Sequence, residues 1–137
     1  MKKIFLLATA FAFSLGVMGQ SKADSMIAVN QQTHDFGKVK QGIPVSYDFQ
    51  LTNNTKEAIV VENTWASCGC TTPDKIVEPI QAGKTVKLKV QYNAAAAGPI
   101  NKDVYIKLAG ADQPKTVHIT GEVLTAEAYD AWVKEKH

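Results

Sequence analysis

Cys68 and Cys70 are the only thiols in this chain of 137 residues, and a single glycine, Gly69, separates them in the stretch Thr64–Lys75, TWASCGCTTPDK. On a strand, side chains two positions apart point to the same side. Fully extended, the two Cα atoms would stand about 6.6 Å apart, twice a rise of ~3.3 Å. A disulfide needs about 4.4–6.8 Å, so a bridge is at the edge of what a straight strand permits. Gly69 can take backbone angles that draw its neighbours together.

Four chemistries fit this spacing. The first is a local disulfide. It closes a very small loop, removes little freedom from the unfolded chain and is readily reduced. In the second, both thiols stay reduced as small packing groups at the end of a sheet. The third is a metal clamp, because two thiolates on tetrahedral zinc lie about 3.8 Å apart with bonds of ~2.3 Å. Only His34, His118 and His137 could add nitrogen ligands to it, and soft copper would accept two sulfurs. The fourth is a catalytic thiol, but the chain has no Cys-x-x-Cys and no histidine close by in sequence to activate one. No cofactor is expected, and no residue is assigned a catalytic role.

The elements that must hold this pair read as strands. In PVSYDFQLTNN, Val45, Tyr47, Phe49 and Leu51 alternate with Ser46, Asp48, Gln50 and Thr52, the period of a half-buried strand. The same rhythm places Val86, Leu88, Val90 and Tyr92 on one face of TVKLKVQY. It does so for Val104, Ile106 and Leu108 in NKDVYIKLAG, and for Val117, Ile119 and Val123 in KTVHITGEV, with His118 outward. Ile27–Val29 is a short opening strand, EAIVVENTW is rich in β-branched residues, and a further short strand is expected over Lys75–Glu78. About seven short strands predict an all-β, immunoglobulin-like sandwich of antiparallel strands. One wet face per sheet argues against a parallel sheet. NAAAAGP reads as a loop. Residues 124–137 predict a tail or short helix, with TAEAYDAWVKEKH capped by its first residue, Thr125, and Ala128, Tyr129 and Trp132 sharing the apolar face.

The remaining motifs have structural readings first. Asp35-Phe36-Gly37 is an aromatic plug followed by a turn, with a ligand role for His34 or Asp35 second. Trp65 packs in the core or at a sheet end, or else offers a contact surface beside the thiols. Asn53-Asn54-Thr55 matches a glycosylation acceptor, a pattern common by chance.

The first residues stand apart. Lys2 and Lys3 precede a nearly unbroken apolar run from Ile4 to Val17, followed by small residues. This is the pattern of a secretory signal cleaved after Gly19, or alternatively after Ala23, and it is too short to span a bilayer comfortably. The expected location is therefore periplasmic or extracellular. No lipid anchor is expected, because no cysteine lies near the cleavage region. The chain has no arginine, and without Lys2 and Lys3 its 13 remaining lysines face 13 acidic residues. Neither a basic patch nor bidentate phosphate contacts follow, so nucleic acid is not expected as a partner.

The segments HDFGKVKQGIPVSYDFQLTNNTKEAIVVENTWASCGCTTPD, AGKTVKLKVQYN and TGEV resemble a bacterial exported family, domain of unknown function 1573. The resemblance runs from about Met26 to Val123, and its specific part is the Ser-Cys-Gly-Cys-Thr element. The signature positions are Asp35, Phe36, Gly37, Gly42, Asn53, Ser67, Cys68, Gly69, Cys70, Thr71 and Gly121. Ala82-Gly83 stands where the family often has Pro-Gly, and Ala109-Gly110 where it often has Asn. The resemblance implies an immunoglobulin-like domain over residues 26–123, similar to major-sperm-protein and hydin-type domains that act as protein-interaction modules. It carries no catalytic residues. The expectation is a non-enzymatic module that binds another protein or an envelope component, with strand addition at an exposed sheet edge as one route. The alternative is a redox or copper- or zinc-handling protein centred on Cys68 and Cys70.

Overall fold

The computed structural model describes residues 21–136, so the signal expected at residues 1–19 lies outside the described residues. In chain order the elements are α1 (Lys22–Met26), β1 (Ile27–Val29), β2 (Thr33–Lys40), β3 (Val45–Asn53), β4 (Val61–Ala66), β5 (Thr71–Pro73), β6 (Thr85–Tyr92), β7 (Gly98–Leu108), β8 (Lys115–Leu124) and α2 (Ala126–Glu135). They form two four-stranded sheets, β1-β3-β6-β5 and β2-β8-β7-β4.

The alternating residues build the space between the sheets. Phe49, Leu51, Leu88 and Val90 from one sheet, and Val104, Ile106, Leu108, Val117 and Ile119 from the other, are fully buried. Each such side chain contributes about 1.5–3 kcal/mol relative to exposure. On the outer face of the first sheet, Asp48 stands opposite Lys89 and Gln50 opposite Lys87. Along one flank an aromatic chain joins the two sheets. His34 of β2 stacks on Tyr47 of β3 at 3.7 Å between ring centroids, Phe36 meets His34 edge-on at 4.7 Å, and Tyr47 meets Phe49 at 4.9 Å.

The structure departs from the sequence-based expectation in five places, the first being the loop expected at NAAAAGP, whose Gly98 and Pro99 open β7 opposite Val123 and Glu122. Among the described residues there are eight strands, and one pair, β2 with β8, is parallel, contrary to the expected all-antiparallel arrangement. Asp35-Phe36-Gly37 is not a terminal turn but a bulge inside β2, where the register slips between Asp35 and Lys38. Lys75–Glu78 is not a strand; Val77 is 88% exposed, and the chain pairs earlier, with Thr71–Pro73 against Tyr92–Val90. Pro73 is tolerated because β5 is an edge strand and needs no further donor on that side. In α2 the Thr125 side chain accepts from the Ala128 amide, but Ala128 is exposed; Tyr129 and Trp132 are the half-buried residues of that trio.

Helix α1 belongs to the folded body. Ser21 and Asp24 form a reciprocal cap, and Ala23 is fully buried. The Asp24 carboxylate accepts from Lys115 Nζ at 2.7 Å, and the Lys115 side chain is only 9% exposed. The alternative cleavage after Ala23 would strip away both the cap and a buried side chain.

Two groups here set a pH dependence. Burial within the aromatic stack lowers the His34 pKa from its ordinary 6.5, and Gln31 Nε2 lies 2.9 Å from His34 Nδ1, where a neutral ring accepts. The hydrogen bond from Lys115 lowers the Asp24 pKa from its ordinary 3.8. Both folded values lie below the unfolded ones, so this stability is present at high pH and is lost on acidification. Urea denaturation across pH should show stability declining first below pH 6.5 and again below pH 3.8. His34→Gln should remove the first decline and Asp24→Asn the second. A wild-type profile flat from pH 7.5 to 5 would contradict the role given to His34.

Candidate functional site

The two cysteines sit where the chain leaves one sheet for the other. Ser67 extends β4, since its amide donates to the Asp103 carbonyl at 3.0 Å and its Oγ accepts from the Asp103 amide at 3.2 Å. The chain then turns, with the Thr71 amide donating back to the Cys68 carbonyl at 3.4 Å, and the Cys70 carbonyl accepts from the Asn93 amide at 3.0 Å. Cys68 is thus tied to the β4 end of one sheet and Cys70 to the β6 end of the other. The turn brings their Cα atoms to 5.3 Å, and a disulfide joins them. This separation is inside the usual range and well below that of an extended strand. Both cysteines are half-buried and Gly69 is exposed. A Cβ placed on Gly69 would meet nothing within 4 Å. Thr71, only 4% exposed, holds its hydroxyl 3.6 Å from Cys68 Sγ and 3.8 Å from Cys70 Sγ.

Next to this turn lies the outer face of the β2-β8-β7-β4 sheet. Trp65 stands opposite Tyr105, and their rings stack at 5.3 Å between centroids. Trp65 is 39% exposed, so it offers a surface and does not sit in the core. Beyond Tyr105, Asp103 pairs with His118 through Oδ1 and Nδ1, and Tyr105 Oη lies 3.4 Å from Asp103 Oδ2. On the other side Lys107 pairs with Glu62 at 3.4 Å. The sequence alone does not reveal the Asp103–His118 pair, because the residues meet only through the β7–β8 register. The usable signal was weaker: both are outward positions on neighbouring alternating strands. Among the described residues, no group of three or more His, Cys, Asp or Glu is placed to hold a metal ion.

The other signature residues serve the scaffold: Asp35, Phe36, Gly37 and Gly121 on the β2 side of the same sheet, Gly42 in the turn after β2, and Asn53 at the end of β3 in the other sheet. Asp35 Oδ1 accepts from the Gly37 amide at 2.8 Å and shapes the bulge, where Gly37 has φ +67°. Gly121, on β8, has φ +148°, and a Cβ there would lie 2.9 Å from the Gly37 carbonyl oxygen and 3.4 Å from Phe36 Cβ. The bulge and the missing side chain are two halves of one contact. Gly42 provides the turn after β2 at φ +83°. Asn53 is fully buried; its amide donates to the Glu57 and Ile80 carbonyls and its oxygen accepts from Thr55. In the folded chain that side chain is closed to glycosylation.

Two packed sheets with this strand order define an immunoglobulin-like β-sandwich, with the Cys-Gly-Cys turn at the crossover between them. The chain belongs to the family described as protein of unknown function, DUF1573, whose model matches residues 27–123. None of the curated proteins matches the sequence. Among solved structures, it is similar to a protein of unknown function from Porphyromonas gingivalis W83, with 13% identity and a TM-score of 0.61, covering 72% of this chain and 46% of that one. The chain therefore spans about half the length of that protein. It is also similar to the ASH/PapD-like domain 7 of human CEP192, with 8% identity, a TM-score of 0.57 and coverage of 80% and 92%. A third is WR4, a C. elegans MSP family member, with 15% identity, a TM-score of 0.53 and coverage of 73% and 99%. At these identities the likeness is one of fold.

Two stability measurements separate the cysteine turn from the bulge. The bridge spans a sequence separation of 2. A loop that small removes unfolded-chain freedom corresponding to about 1.5 kcal/mol. Urea denaturation with and without reductant should differ by no more than that; a loss of half the total stability would contradict it. Gly121→Ala should cost about 1–3 kcal/mol, since it adds both a clash and a disfavoured backbone angle. Gly69→Ala, placed in open space, should be nearly neutral, and an equal loss for both variants would overturn the assignment.

Proposed function

We propose that this protein is an exported, non-enzymatic interaction module that binds another protein or an envelope component through the outer face of the β2-β8-β7-β4 sheet. The observation that carries this reading is the stacked Trp65–Tyr105 pair, held outward between the Asp103–His118 and Glu62–Lys107 pairs. Exposed aromatics ringed by polar groups are the usual anchors of protein contacts, where truncation of one anchor costs about 2 kcal/mol or more. The basic and apolar start of the chain supports export to the periplasm or the extracellular space. Among the described residues no helix is long and apolar enough to cross a membrane. The balanced charge of the chain without Lys2 and Lys3 argues against nucleic acid as the partner.

Recruitment by strand addition is the weaker route, because each sheet edge is blunted. β1 and β5 have three residues each, and β5 ends in Pro73. Beside β4, Lys75 Nζ donates to the Thr64 carbonyl and to Asn63 Oδ1. β2 carries the bulge together with Lys38 and Lys40. Bulges, lysines, prolines and short length all discourage edge pairing.

Fractionation of cells expressing the full chain should place it outside the cytoplasm, shortened at its N-terminus. Envelope extract passed over the immobilised protein should leave the same specific component on wild type and on a Lys87→Ala/Lys89→Ala control from the other sheet. Trp65→Ala/Tyr105→Ala should lose that component while keeping a wild-type circular-dichroism spectrum. Retention unaffected by the aromatic double variant, or abolished equally by the control, would overturn the proposal.

A further inference from the structure

We propose that the Cys68–Cys70 bridge is a thiol–disulfide exchange site whose co-reactant is a protein dithiol. The proposal is independent of the docking reading and stands on four observations at the crossover turn. The bridge links residues only two positions apart, so its closure contributes little to the fold and its opening removes little. Both cysteines are half-buried, not sealed in the core, and the exposed Gly69 between them has no side chain and open space above it. An attacking thiolate can therefore approach the sulfurs without unfolding the chain. The turn is tied to both sheets by the Ser67–Asp103 and Cys70–Asn93 backbone bonds, which involve neither sulfur. Finally, the Thr71 hydroxyl lies within 3.6 Å of one sulfur and 3.8 Å of the other, so it can donate to whichever sulfur leaves.

The step balances as a two-electron exchange. A thiolate of the incoming dithiol attacks Sγ of one cysteine and forms a mixed disulfide. The Cys68–Cys70 bond breaks, and its electron pair leaves on the other Sγ as a thiolate, which the Thr71 hydroxyl stabilises by hydrogen bonding. The second thiol of the partner, deprotonated, attacks its own sulfur in the mixed disulfide and releases the first cysteine. The partner leaves as a disulfide, and Cys68 and Cys70 are left as two thiols, their protons replacing those given up by the dithiol. The exchange is stoichiometric, one bridge per partner dithiol, and runs in either direction according to the relative potentials.

Oxidised protein is treated with dithiothreitol and, separately, with reduced thioredoxin as a protein dithiol, at neutral pH without denaturant. Thiols are counted by alkylation and mass. The expected result is complete reduction at a rate proportional to dithiol concentration and unchanged by urea below the unfolding transition. Thr71→Val, which keeps the shape and removes the hydroxyl, should react about fivefold more slowly, the effect of losing one hydrogen bond to the leaving group. Thr71→Ser should restore the rate. Reduction that is independent of dithiol concentration and follows global unfolding would overturn the site. Thr71→Val reacting at the wild-type rate would overturn the role of the hydroxyl. Dithiothreitol needs no docking surface, so its failure to react counts against this bridge and leaves the aromatic face untouched.

Discussion

The site depends on one constraint: between Ser67 and Thr71 the chain must leave the edge of one sheet and enter the edge of the other. The backbone bonds of Ser67 with Asp103 and of Cys70 with Asn93 fix the two ends of that crossing. With both ends fixed, the residues between them have to turn sharply, and they do so without a left-handed φ at Gly69, whose surroundings are open. The nearness of the sulfurs is then a consequence of the crossing. The bridge records the turn more than it creates it, and this is why a redox change there can be local.

The same crossing aligns the neighbouring chemistry. Ser67, Asp103 and His118 fall in one row across β4, β7 and β8, and Trp65 and Tyr105 fall in the next outward row. The disulfide rim and the aromatic face are therefore contiguous parts of one side of the molecule. A partner seated on Trp65 and Tyr105 would lie beside the only two cysteines in the chain. The opposite edge is occupied by the bulge against Gly121, and the aromatic chain of His34, Phe36, Tyr47 and Phe49 closes the flank there. The signature residues divide accordingly: those around the cysteines shape a surface, and those around Asp35 hold the scaffold.

Much of this was legible in the sequence, where a single strand alternates cleanly. β3, β6, β7 and β8 alternate over most of their length, so period located them, apart from the first residues of β7, Gly98 and Pro99, which read as a loop. β2 was missed because Gly37 and the extra residue of the bulge break the alternation and imitate a turn. Its parallel pairing with β8 joins segments that lie far apart in sequence, which no local pattern encodes. β5 was hidden by Pro73, a residue that usually argues against a strand, and over Lys75–Glu78 the chain joins no sheet, with Ile76 packed against the core and Val77 exposed. The cysteine pair was visible as a pair, but its spacing allowed four chemistries, and only the crossing selects the bridge. The Asp103–His118 pair and the outward stance of Trp65 emerge from strand register, which a sequence read one segment at a time does not supply.

The central claim is that the sheets, and not the sulfurs, hold the turn. Amide hydrogen exchange of oxidised and reduced protein tests this most directly, read at Ser67 and Asn93, whose amides donate to Asp103 and Cys70. Protection at both amides should survive reduction, with change confined to the residues between them. Loss of protection at both on reduction would show that the disulfide holds the crossing, and the account would fail.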